Sequence, residues 1–369
     1  MRTLAALLLA FLLTLTARAA EPWLKPNDVV ALVGGEDMVA LAEEGWLETL
    51  VTWAQPKDRI RFRSLAWEGD TVFEQRRDLN YPTLETQLDK MGATVVICQF
   101  GKMESFAGKE GVSAFTEAYE KLIERLSGQP KWRMDLDGMF NTNSGYYLFD
   151  INGYEFVKLS LGGVKLAEDR LSGGRKRRIA LVLPMQFATR PKRVELQHLP
   201  DLTPRNADLD SYRKAIRTIA EKHTAMVLDA DYLGPAGGGQ ASFVPDYPTC
   251  DGIHLQGMGE HSLAYLGLGE IMVESLGSKL EFGNGKALDD LLPGRVMKLY
   301  NMIFAKNRLW FHYTRPQNWA FLAGNRTNQP SSRDHLDPTK RWFPEEMEQW
   351  LPLIEAKEQE IWKLASAPR

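Results

Sequence analysis

The stretch Thr94–Phe100, TVVICQF, is almost wholly apolar and rich in β-branched side chains. A strand of that composition has no face to give to water, so it belongs in the middle of a sheet covered on both sides. Val29–Val33 and Ile179–Leu183 are runs of the same kind. Between them apolar residues recur at helical spacing: Trp46, Leu47, Leu50, Val51 and Ala54, then Val112, Phe115, Tyr119, Leu122, Ile123 and Leu126. Arg59–Leu65 alternates, with Ile60 and Phe62 on one face, and Ala225–Leu228 reads as a short strand. Leu209, Tyr212, Ile216, Ile219 and Ala220 mark a helix with Asn206 or Asp208 as its cap, and Leu263–Leu276 is a largely apolar helix. Strands alternating with helices give βαβ units. The expected fold is α/β, a mostly parallel five-stranded sheet between helices.

Three segments break that pattern. Residues 1–20 pair an n-region at Arg2 with an apolar stretch from Leu4 to Leu15 and a small-x-small site at Ala17-Arg18-Ala19. This is a signal peptide, and it predicts an exported protein, periplasmic or secreted. Residues 130–175 are strand-like and turn-rich. Tyr146–Ile151 and Tyr154–Leu161 flank Asn152-Gly153, a hairpin signal, so this block reads as a β insertion whose aromatic residues line a cleft or pack on each other. Residues 286–369 read as a helical, aromatic-rich extension, with helices at Leu291–Asn307 and Glu345–Lys363; five of the ten tryptophans fall after residue 309. The core domain then spans 27–280.

Composition narrows the partners. Removing Arg2 and Arg18 with the leader takes the formal charge from −3 to −5, which argues against nucleic acid. No stretch after the leader is long and apolar enough for a membrane span. Cys98 and Cys250 could pair in an oxidising compartment or stand as two buried small side chains. His198, His223 and His335 sit in no motif and read as surface residues, and His261 as a helix-face residue.

In a parallel sheet, chemistry gathers at the carboxyl ends of the strands. Those tails read Gly34-Gly35-Glu36-Asp37, Glu68-Gly69-Asp70-Thr71 and Gly101-Lys102-Met103-Glu104, and Asp251-Gly252-Ile253-His254 follows far downstream. Four such blocks in this order resemble the SGNH/GDSL hydrolase superfamily over roughly residues 27–275, and the extension resembles that of exported SGNH-like proteins from planctomycete-type bacteria. The resemblance implies a flavodoxin-like three-layer α/β/α fold and hydrolysis of esters, such as acylated carbohydrates, with no cofactor or metal. It places Asp251 as orienter, His254 as base and Gly69 as an oxyanion donor.

Two positions depart from the pattern. Glu36 stands where the resemblance places the nucleophilic serine, and Met103 where it places the oxyanion asparagine. Losing a serine nucleophile costs on the order of 10⁶ in turnover, and methionine donates no hydrogen bond. Ser64 and Ser105 are poor substitutes; Ser105 reads as a cap for a helix starting near Phe106. Three functions therefore stand: an ester hydrolase with impaired or altered catalysis, a pseudoenzyme that binds a glycan or partner, and a carboxylate- or metal-dependent hydrolase using Glu36. A carboxylate at 36 within reach of His254 Nε2 would mark a locked pseudo-triad. Glu36, Glu68 and Glu104 have a plainer reading as helix caps or as ion-pair partners of Lys102 or Arg315. Glu104, Arg315 and Asn318 are the candidates for substrate binding, because aromatic residues beside Arg, Gln and Asn suit sugars and carboxylates.

Overall fold

Alternate side chains of β1 (Val29–Gly34) face two different cores. Val30 and Leu32 enter one, Ala31 and Val33 the other, and all four are at most 3% exposed. The computed structural model describes residues 22–128 except 76, 78 and 79, the short strands between 132 and 168, and residues 176–189, 198–229, 249, 251–255, 263–278, 280 and 294–368. The leader lies outside these residues, as do Cys250, His261, Asn152 and Gly153.

Two helices follow β1, α1 (Glu36–Glu44) and α2 (Trp46–Ala54), with Gly45 between them at a φ of +69° that favours glycine. Then come β2 (Arg61–Ser64), α3 (Leu84–Lys90), β3 (Val95–Gln99) and α4 (Val112–Ser127). The insertion carries four short strands, β4 (Trp132–Met134), β5 (Asp150–Ile151), β6 (Tyr154–Glu155) and β7 (Leu166–Glu168). β5 pairs antiparallel with β6 across Asn152-Gly153, and β4 with β7. The chain returns through β8 (Arg178–Val182), α5 (Asn206–His223), β9 (Met226–Leu228) and α6 (Leu263–Ser275).

The main sheet has the order β2-β1-β3-β8-β9, and every neighbouring pair is parallel. One face packs on α1, α2 and α6 through Met38, Leu47, Leu50 and Met272; the other packs on α4 and α5 through Phe115, Tyr119, Tyr212 and Ile216. The expected α/β architecture is present.

The extension supplies α7 (Gly294–Thr314), α8 (Trp319–Leu322), α9 (Trp342–Glu348) and α10 (Trp350–Ala365). It closes over the β2 edge. Trp310 Nε1 donates to Ser64 O at 2.7 Å, and Arg63 and Arg61 both pair with Glu358. Buried Lys306 bonds both oxygens of buried Glu48 at 2.8 Å, joining α7 to α2.

Several local expectations are corrected. α7 runs seven residues past Asn307, because Trp310 continues its buried face; it stops two residues before Pro316. The last helix is two, with α10 beginning at Trp350. Pro352, lacking an N–H, fits the first turn of a new helix and not the interior of an old one. α5 has Arg205 at its N-cap and no side-chain cap; Asn206 instead bonds both the N–H and the C=O of Phe187. Ser105 lies inside a 3-10 turn and donates to Lys102 O at 2.6 Å. His198 and His335 are exposed, whereas His223 is half-buried. Cys98 is a free buried thiol, pushed up to about 12 by burial.

Candidate active site

The carboxyl ends of β1 and β3 and the turn after β2 meet at one rim. A Cβ on Gly34 would lie 2.7 Å from Gln99 O at the end of β3, and one on Gly35 would lie 2.9 Å from Asp70 O in that turn. Only glycine allows the β1–α1 connection to sit this close to both. Glu36 is therefore delivered to the rim as the first residue of α1.

The Asp251–His254 segment approaches from the far side. Asp251 Oδ1 accepts from the backbone N–H of Ile253 at 2.9 Å and of His254 at 2.8 Å, and its Oδ2 holds His254 Nδ1 at 2.7 Å. His254 Nε2 then lies 3.2 Å from Glu36 Oε2. The imidazole thus stands between two carboxylates. Their side chains differ in exposure, 62% for Glu36 and 20% for Asp251, so water screens the Glu36 contact and Asp251 is the stronger partner. Burial works against a charged ring. The hydrogen bond and charge of Asp251, with the charge of Glu36 added, overcome it and raise the His254 pKa. Burial likewise opposes ionised Asp251, but the bonds from His254 and Ile253 outweigh it and lower its pKa.

Two residues of the third block brace the rim. Lys102, 8% exposed, donates to Ile253 O at 2.6 Å and pairs with Asp37 at 3.2 Å, tying the His254 segment to the first turn of α1. Glu104 accepts from Val72 N at 2.8 Å and from Gly101 N at 2.7 Å, tying the turn after β2 to that after β3. The sequence placed Lys102 on this rim as an ion-pair partner, but not the carbonyl it holds, because a backbone acceptor has no sequence signature. Asp70 is held bidentately by Arg77 at 2.7 Å, yet burial outweighs that cation and raises its pKa.

The resulting cleft, about 450 Å³ and open to solvent, is lined by Glu36, His254, Lys102, Met103, Asp70 and Glu104 among others. Met103 is 64% exposed at its edge. Gly69 occupies a tight turn at a φ of +83°, closed by Asp70 N to Trp67 O, and does not itself line the cleft. Arg315 and Asn318 stand outside it too. Arg315 grips Glu68 at 2.9 Å and Ala66 O at 2.6 Å, and Asn318 is an exposed residue preceding α8. Among the described residues no three His, Cys, Asp or Glu side chains gather as a metal site.

No family model matches the chain, and no curated protein does. Solved structures match its fold. BT4096, a gut microbial diltiazem-metabolizing enzyme, is 10% identical, with 95% of this chain and 97% of that chain covered and a TM-score of 0.54. Axe2, an acetylxylan esterase from Geobacillus stearothermophilus, is 10% identical with 69% and 96% covered and a TM-score of 0.40. AlAXEase, an acetyl xylan esterase, is 12% identical with 67% and 98% covered and a TM-score of 0.39. At 10% identity the BT4096 likeness speaks for the fold alone.

Proposed function

We propose that the chain is an exported SGNH/GDSL-type, hydrolase-like protein. Its cleft takes an ester, such as an acylated carbohydrate, and its chemistry differs from a serine triad. The observation that carries this is the 3.2 Å contact between Glu36 and His254 Nε2, the nitrogen that would otherwise receive a nucleophile's proton. Fold likeness to BT4096, a diltiazem-metabolizing enzyme, over nearly both whole chains supports the α/β fold on which this reading rests. The leader-like residues 1–20 support export, and among the described residues no helix is long and apolar enough to cross a membrane.

A triad needs an uncharged imidazole facing a hydroxyl. Here a carboxylate faces the imidazole in place of a hydroxyl, and the two flanking carboxylates favour its protonated form, which suits it to act as an acid. Glu36 is a poor acyl nucleophile, but its carboxylate can take the proton of a water that attacks the ester carbonyl, the His254 ring can protonate the departing alkoxide, and the proton on Glu36 then restores the ring. That pairing gives slow, water-mediated hydrolysis without an acyl-enzyme. A second reading, a pseudoenzyme that binds a glycan or partner, is favoured by the same geometry, since both ring nitrogens are already engaged.

Hydrolysis of short-chain acyl esters by the mature protein, Glu36→Ser and His254→Ala tests the proposal. Glu36→Ser should exceed wild type by at least about 10²-fold, since the nucleophile is the largest missing contribution. Burst kinetics in wild type, retained in Glu36→Ala, would overturn it by showing that another residue is acylated.

A further inference from the structure

The Glu36 side chain alone does not account for its contact with His254. Its carboxylate is 62% exposed on the first residue of α1, where hydration and side-chain entropy both favour its turning away. The contact is held from one residue away on either side. Lys102 Nζ donates to Ile253 O at 2.6 Å and lies 3.2 Å from Asp37 Oδ2. Ile253 precedes His254, and Asp37 follows Glu36. One ammonium therefore touches a chain neighbour of each member of the pair.

Lys102 is itself fixed. Its carbonyl accepts from Ser105 Oγ at 2.6 Å, and Ser105, fully buried, gives its N–H to Gly101 O at 3.0 Å. Gly101 N in turn donates to Glu104 at 2.7 Å. The His254 segment is anchored on its other side, where Ala188 N, in the chain after β8, donates to Gly252 O at 2.9 Å. Lys102 spans the gap between these two anchored parts. Its ammonium has lost most of its water, so the carbonyl and the carboxylate that replace the water are held in place by it.

We propose that Lys102 is a positioning residue whose clamp on Asp37 and Ile253 sets the contact between Glu36 and His254. This deepens the proposed function and rests on it, because that contact is where the proton taken up by Glu36 returns to the ring. Lys102 acts on the transfer through the two chain segments that it joins. Its charge and its position affect the ring in opposite directions. The charged groups around the ring are Glu36 and Asp37 on α1, Asp70 after β2, Lys102 and Glu104 after β3, and Asp251 on its own segment. Lys102 is the cation of this set, so deleting its charge alone would ease protonation and raise the His254 pKa. Loss of the clamp releases Glu36 and lowers it.

The test is a pH titration of the His254 ring by nitrogen-15 NMR in the mature protein, in Lys102→Met, in Glu36→Gln and in the double variant. Lys102→Met should lower the pKa by about as much as Glu36→Gln does, and adding it to Glu36→Gln should give no further fall. Lys102→Gln, which keeps a polar amide at the buried position, is measured beside it and should lower the pKa too, so that the result does not hang on one variant folding. A His254 pKa that rises or stays unchanged in the folded Lys102 variants would overturn the proposal. So would an equal fall with and without Glu36. The readout is the ring and not ester turnover, so a failed clamp and a failed hydrolase are told apart.

Discussion

Glu104 gives both carboxylate oxygens to backbone N–H groups, those of Val72 and Gly101, at a position 8% exposed. Glu104→Ala should cost on the order of 2–4 kcal/mol, the penalty for two buried donors left unsatisfied. Glu104→Gln, which keeps one acceptor oxygen, should cost about half as much. Urea unfolding midpoints measure both; a wild-type midpoint for the alanine variant would mean that the two donors find other acceptors. The Asp251–His254 contact has a pH window. Asp251 has its pKa lowered by folding, so its contribution is present above its ordinary 3.8 and is lost as pH falls through the folded value. His254 has its pKa raised, so its contribution is complete below 6.5 and is lost as pH rises through the folded value. The melting-temperature gap between wild type and Asp251→Asn should therefore be widest between these two limits and narrow on either side. At this scale the sequence was legible where spacing dictates geometry: Asp-x-x-His lets one carboxylate oxygen close on the backbone N–H groups two and three residues on, those of Ile253 and His254, while the other holds the ring. It was illegible where a partner is a backbone atom. Neither the Lys102 bond to Ile253 O nor the Asn206 bonds to Phe187 leave a pattern.

Among the elements, α7 and α2 are joined by a buried ion pair that no periodicity reveals. Lys306 is fully buried and bonds Glu48 twice. Taking two charges out of water is costly, and removing one partner is worse than removing both. Lys306→Met alone should destabilise the protein by about 3–5 kcal/mol, and the double change Lys306→Met with Glu48→Leu should recover most of that loss. Chemical denaturation of the two single variants and the double variant measures the coupling; additive losses would show that the pair does not act as a unit. β1, β3 and β8 were legible because each is an apolar run buried on both faces, as a central parallel strand needs, whereas edge strand β2 showed only as an alternating run. α1 was hidden for the opposite reason. It starts directly at the cleft rim with no side-chain cap, and its first two residues are acids better read as loop chemistry.

For the whole molecule, the extension is part of the structure that holds the site. It covers the β2 edge, lays Trp310 and Trp362 under Arg63 and Arg61, and grips the turn after β2 through Arg315. That turn carries Asp70 into the cleft and presents Val72 N to Glu104. A chain ending at residue 293 should expose an edge strand and an apolar face, and so lose its cooperative melt and bind a hydrophobic dye. A cooperative melt at the wild-type temperature would contradict this. The tryptophan-rich tail pointed to packing of this kind. The sequence could not tell whether its Arg315 served a substrate or the protein's own turn, because both uses need the same side chain.

The central claim is that His254 is held as an imidazolium between Glu36 and Asp251. Nitrogen-15 NMR of the His254 ring, titrated in wild type and in Glu36→Gln, tests it most directly. The account predicts a His254 pKa above 6.5 in wild type, lower in Glu36→Gln and lower still in an Asp251→Asn variant titrated alongside. A His254 that loses its proton at or below 6.5, with no response to Glu36→Gln, would contradict it.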